Sequence, residues 1–254
     1  MKLRLVLAAT AALGLLAAAG ASSAASPLPG MNDLTYASFG GKDFSAPSGQ
    51  QIITSFETSG APTFANIIFN YSGFSLTGNA SAALFTGHTG NSASPAVPLT
   101  VDPSGEDSTQ YLTLYGHGTV NPADGFATLH ITRSGVNAFG LYSGSLDGYN
   151  HIVFHYAGTN VTDAVDGGWI AGNTGGLVTD NGNQSSDRSN GRLTFQFDRD
   201  LTSIDFYSTT NSFEISHFSA GEVPEPGAWA LMILGFGGVG AALRSRRKVL
   251  GATA

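Results

Sequence analysis

Short stretches in which apolar and polar residues alternate recur along the middle of this 254-residue chain. Leu193, Phe195 and Phe197 alternate with Arg192, Thr194 and Gln196. Ile204 and Phe206 alternate with Ser203, Asp205 and Tyr207, and Ile152, Phe154 and Tyr156 with His151, Val153 and His155. A period of two puts successive side chains on opposite faces of an extended backbone, so each stretch predicts a strand with one buried face. Further strands are predicted over 51–56, 65–71, 110–115, 125–132 and 212–218. They are separated by runs of Gly, Asn, Asp and Ser that supply turns. No long amphipathic helix lies between them and no internal repeat is visible, so the pattern predicts an all-β, antiparallel two-sheet sandwich or jelly roll.

The two ends read differently. Lys2 and Arg4 precede an apolar run over 5–19 and small residues over 20–25, the pattern of a secretory signal peptide with cleavage after Ala21 or Ala25. The Sec translocon and signal peptidase are the partners this implies. Near the other end, residues 228–243 carry no charge and would extend about 24 Å as a helix, a short membrane span. Trp229 suits the headgroup level. Arg244, Arg246, Arg247 and Lys248 form a basic stop that predicts a cytoplasmic tail, with the preceding chain facing outward. Gly235, Gly237 and Gly240 match a dinucleotide-binding spacing. They lie inside the apolar run rather than at a strand-to-helix turn, so they are read as small residues on a membrane helix. The expected organisation is a signal peptide over 1–25, an extracytoplasmic β domain over 26–221, and a C-terminal signal over 222–248.

That C-terminal segment carries a specific resemblance. Pro224-Glu225-Pro226, two residues, then Trp229-Ala230, an apolar run and an Arg-rich end resemble the PEPxxWA form of the PEP-CTERM sorting signal. The resemblance implies recognition and processing by an exosortase, a membrane-embedded protease-like enzyme of exopolysaccharide-producing Gram-negative bacteria. It also implies a transient stay in the inner membrane and a final place at the cell surface or in the extracellular matrix. The stretch 139–154, with 181–184, 192–198 and 211–215, is similar to the middle of exosortase-dependent surface proteins, a likeness that implies no catalytic chemistry.

Charge narrows the partners. Residues 26–221 hold five basic and sixteen acidic side chains, a formal charge of −11 against −7 for the whole chain. Nucleic acid, which needs a basic patch, is therefore not an expected partner. The absence of cysteine leaves sheet packing to supply the stability of an exported chain. It also removes a thiol nucleophile, and the sequence has no G-x-S-x-G, P-loop or H-E-x-x-H motif.

No metal or cofactor is expected. His151 and His155 would share a face of a helix, but in a strand they stand about 13 Å apart, too far for one metal. Asp163, Asp166, Asp180, Asn181, Asn183 and Asp187 fall in a Gly-rich region whose spacing fits no calcium loop, and they read as a solvated acidic loop. Tyr142, Tyr149 and Trp169 lie in or beside Gly-, Asn- and Asp-rich stretches and are candidate sugar-stacking residues.

The reading that accounts for most of these features is a non-enzymatic, exported surface or matrix protein with a structural or adhesive role in an exopolysaccharide or biofilm layer. A glycan-binding, lectin-like module is the alternative. A jelly-roll polysaccharide hydrolase would require two carboxylates facing each other across a cleft.

Overall fold

The computed structural model describes residues 28–38, 46–56, 68–79, 82–85, 110–115, 126–184, 186, 188–222, 233–237 and 239. Among the described residues thirteen strands form two sheets, and every pairing is antiparallel. The seven-stranded sheet contains β1 (Met31–Ser38), β11 (Gly191–Phe197), β8 (Ala138–Gly144), β13 (Asn211–Gly221), β6 (Tyr111–Tyr115) and β5 (Ala82–Phe85) in that order. β2 (Gln50–Thr54) is paired to the second half of β13. The six-stranded sheet runs β10 (Thr162–Asp166), β9 (Asn150–Tyr156), β12 (Leu201–Ser208), β7 (Phe126–Ile131), β4 (Phe74–Gly78) and β3 (Ile68–Tyr71). The architecture is the two-sheet sandwich that the alternation predicts.

Alternation places the core. Ile152, Phe154 and Tyr156 of β9, Ile204 and Phe206 of β12, and Leu193, Phe195 and Phe197 of β11 are all buried. Aromatic rings join the two sheets: Phe154 meets Phe195 and Phe197 at centroid distances of 4.9 and 4.8 Å. Phe206 stacks on Phe218 at 5.0 Å and meets Phe139 at 5.9 Å. Burial of each such side chain contributes about 1.5–3 kcal/mol, which is how a chain without disulfides holds two sheets together.

The seven-stranded sheet differs from expectation in being buried on both faces at its centre. All seven residues of β8 are buried, as are Arg192, Glu214, Ser216 and Ser219 on the neighbouring strands. These polar groups bond to one another. Ser219 Oγ donates to Gln50 Oε1 at 2.7 Å, Arg192 Nη1 donates to Ser219 Oγ at 3.1 Å, and Ser145 and Ser212 hydroxyls donate to the Glu214 carboxylate.

Register fixes where the chain enters and leaves. Met31 lies opposite Phe197, Gln196 opposite Ala138, Ala138 opposite Gly221, and Gly221 opposite Gln50. The start of β1 and the end of β13 therefore share one end of the sandwich, with the turns at 72–73, 132–137, 157–161 and 198–200. The opposite end carries 145–149, the loops over 174–190, and a short helix, α1 (Gly167–Asn173), absent from the sequence expectation. Asp166 caps α1, its carboxylate accepting from the Trp169 amide at 2.7 Å.

Candidate functional site

At the loop end the carboxylates of Asp147, Asp166 and Asp180 gather around glycines. A Cβ at Gly168 would lie 3.3 Å from Asp166 Oδ1 and 3.4 Å from Asp180 Oδ2, and one at Gly182 would lie 2.5 Å from Asp147 Oδ2. At Gly182, whose φ is 60°, glycine both suits the left-handed backbone and leaves the room that the Asp147 carboxylate fills, whereas the carboxylates beside Gly168 crowd it less tightly. Burial raises the Asp147 pKa above the ordinary carboxylate value, the hydrogen bond from Tyr149 opposes the rise, and the Asp180 charge adds to it. The Tyr149 hydroxyl is itself raised by burial, by its bond to Asp147 and by the Asp147 and Glu214 charges.

The three candidate sugar-stacking residues are not brought together as one open platform. Tyr142 is 2 % exposed on β8, its ring edge-on to His217 at 6.4 Å, so it offers no ring face to solvent. Trp169 packs partly against the core from α1, and Tyr149 is half-buried beside Asp147. The solvated-loop reading also needs correction at Asp163. This residue lies on β10, is 1 % exposed, and accepts from the Tyr156 hydroxyl at 2.6 Å and the Gly30 amide at 2.9 Å. It takes an inward position in the alternation of β10, where an apolar residue is usual. Asn181, exposed, bridges to Asp147, Asn183 is exposed, and Asp187 lies outside the described residues.

The sequence reading did not assemble the outer face of the six-stranded sheet. His151 of β9 stacks on Tyr207 of β12, with ring centroids 4.6 Å apart and planes 11° from parallel, and Phe126 of β7 pairs with Tyr207 in the same row. In the next row Asp205 is held from two sides. His155 Nε2 lies 2.7 Å from its Oδ2, and Thr128 Oγ1 donates to its Oδ1 at 2.7 Å. Beyond it, His130 Nε2 lies 3.3 Å from Thr77 Oγ1. Burial holds the His151 pKa below its ordinary value, against the pull of the Asp166 charge. The strand assignment of His151 and His155 stands, and the alternate phase of β9 and β12 that marks the core also marks this face. The face combines an aromatic pair with oriented donors and acceptors at half-exposed positions.

The C-terminal signal follows β13 with almost no linker, since Gly221 is the last strand residue and Glu222 is exposed. The expected signal peptide over 1–25, the motif residues Pro224, Glu225, Pro226, Trp229 and Ala230, and the basic stop at Arg244, Arg246, Arg247 and Lys248 lie outside the described residues. Of the apolar run, 233–237 and 239 are helical, with Ile233, Leu234 and Phe236 at least 70 % exposed. Among the described residues no helix is long and apolar enough to cross a membrane.

No curated protein matches the chain. Residues 222–248 match the family model of the PEP-CTERM protein-sorting motif. The match takes in the motif and the helical apolar residues behind it and begins at the residue after β13 ends, so the chain carries a PEP-CTERM sorting signal at residues 222–248.

Proposed function

We propose that this protein is exported, cut by an exosortase at its C-terminal signal, and held at the cell surface or in the exopolysaccharide layer as a structural component without chemistry of its own. The observation that carries the reading is the match of 222–248 to the sorting motif, which begins directly after the last strand of a sandwich whose core, among the described residues, is drawn from 31–220. Pro224 and Pro226 hold the peptide extended outside the membrane, where an embedded enzyme has access. The exposed apolar residues Ile233, Leu234 and Phe236 suit a lipid environment. Replacing Pro224, Glu225 and Pro226 by alanine should leave membrane insertion intact while the full-length precursor accumulates. Mass spectrometry of wild-type protein from its host decides the matter: a mature chain that still carries residues 231–248 leaves a plain membrane anchor and refutes processing.

A glycan-binding role is the second reading, favoured by the outer face of the six-stranded sheet rather than by Tyr142. The stacked His151–Tyr207 pair offers a flat face for a sugar ring, and Asp205, His155, Thr128 and His130 offer oriented partners for hydroxyls. A domain charge of −11 favours neutral polymers. In affinity gels containing cellulose-derived or starch-derived polysaccharide, the protein should be retarded and a Tyr207→Ala variant should not. Equal mobility of both proteins in every gel removes this reading.

A further inference from the structure

A cleft of about 310 Å³ opens at the terminal end of the sandwich, between the edge strand β2 and the β3–β4 hairpin. Ile52, Ile53, Tyr71 and Phe74 give it apolar walls, Arg133 supplies a cation, and Ala220 of β13 closes one side. Gln51 and Ser72 add polar groups to the lining, and a cleft of this size that sets apolar walls beside a few polar groups and one cation can hold a short peptide. Ile52 is 39 % exposed, an uncovered apolar side chain on an edge strand.

Arg133 is placed with some care. The carbonyl of Gly73, the second residue of the two-residue hairpin turn, accepts from the amides of Thr132 and Arg133 at 3.0 and 3.3 Å. Gly73 has φ of 82°, and a Cβ there would lie 2.8 Å from Arg133 Cβ, so the arginine stem rests against the turn. Among the described residues, Arg133 pairs with no carboxylate.

We propose that this cleft is a receptor for the chain's own sorting peptide, Val223-Pro224-Glu225-Pro226. Ala220 belongs to both the cleft wall and the last strand, and the peptide begins three residues later. Glu222 already points toward the turn that carries Arg133, its Oε2 lying 3.4 Å from where a Cβ on Gly135 would be. At about 3.3 Å per residue, the four residues from Gly221 to Glu225 reach about 13 Å, enough to turn back along β2.

The chemistry of the two partners matches. Proline-rich extended segments lose little entropy on docking and bind apolar grooves with an aromatic wall, and here the Tyr71 ring and the exposed Ile52 side chain face Pro224 and Pro226. Glu225 between them supplies the carboxylate for the Arg133 guanidinium. Docking would hold the signal in one direction against the folded end, so that a processing enzyme has to draw it out of the cleft. The docking itself requires no enzyme, so a failure here leaves the processing reading untouched.

The chain contains no cysteine, which makes a two-cysteine test clean. Full-length protein in detergent carrying Ser72→Cys and Gly227→Cys should form an intramolecular disulfide under mild diamide oxidation. A pair of Asn181→Cys, at the loop end, with Gly227→Cys should stay reduced. Adding Arg133→Glu to the first pair should cut the disulfide yield about fivefold, the scale of a lost surface ion pair, whereas Arg133→Lys should keep most of it. Pro224→Ala with Pro226→Ala should lower the yield with Arg133 intact. Equal yields from the two cysteine pairs overturn the proposal, as does indifference to both Arg133→Glu and the proline changes. Disulfides formed only between chains overturn it too, assigning the cleft to a second copy.

Discussion

Asp163 and Asp147 are both acids from the Gly- and Asp-rich half of the chain, and their surroundings separate them. Asp163 lies on β10 between exposed Thr162 and Ala164, with buried Val165 two residues on, so it occupies a core-facing position. Its ties to Tyr156 and the Gly30 amide pin the segment just before β1 to the terminal end of the sandwich. Polarity alone cannot reveal such a position, because the apolar pattern of β10 is blank where its inward residue is an acid. Tyr142 was misleading for a related reason: its neighbours are glycines and serines, the signature of a loop, yet they pack on both faces of a central strand. Asp147 is only half-buried, and its pKa is raised, so the folded state holds its proton more tightly than the unfolded chain. The ionised group therefore costs stability above its raised pKa, and that cost disappears as pH falls to the ordinary value of 3.8. An Asp147→Asn variant, which keeps the shape and one acceptor for Tyr149, should melt higher than wild type at pH 7. The advantage should shrink as pH is lowered toward 4 in thermal scans. A variant less stable than wild type at pH 7, or a pH-independent difference, contradicts the assignment.

Elements were legible where one face is wet. β9, β11 and β12 alternate in sequence and in the fold, and β7 and β13 fall within two or three residues of expectation. β8 is buried at every position, so its sequence, Ala138 to Gly144, carries no period of two and was not assigned as a strand. The helix α1 contains three glycines in seven residues, a composition that opposes helix, and it forms because Asp166 caps it and Ile170 is buried in the core. β13 shows what local pattern misses most clearly. It is eleven residues long and bulged between Ser216 and Ser219, with His217 at φ of 47°, and it pairs with β6 along its first half and β2 along its second. The bulge brings Phe218 inward against Phe56, Phe139 and Phe206 after Ile215 has already faced the core. At its end, a Cβ on Gly221 would lie 2.0 Å from the Gly49 carbonyl oxygen, so only glycine lets β2 close on the strand that leads to the sorting signal.

On the scale of the whole molecule, charge and connectivity point the same way. Of the five basic residues of the β region, Arg192 is buried and Arg199 is paired with Asp198 at 2.6 Å, so little positive surface remains to hold an anionic polymer. The sorting signal was the most legible feature of the sequence because its parts are consecutive, whereas the sheet faces are assembled from strands far apart in the chain. Connectivity then orients the precursor. The chain enters and leaves at one end of the sandwich, and Ala228, the first residue of the apolar run, is seven Cα steps beyond Gly221. Fully extended, those seven steps reach about 23 Å, so under the proposal that residues 228–243 enter a membrane, the end carrying the turns at 157–161 and 198–200 has to stay near it. The eight residues of β12 add about 26 Å to the opposite end, which lifts α1, Tyr149 and the acidic loops away from the lipid. A fluorophore attached at Asn160, at the terminal end, should be quenched by spin labels on lipid headgroups when the full chain is in nanodiscs. The same fluorophore at Asn183, at the loop end, should be quenched far less, by about the contrast that 25 Å of separation allows. Equal quenching at both sites would mean that the sandwich lies on its side, and stronger quenching at Asn183 would mean that the chain approaches the membrane loop end first.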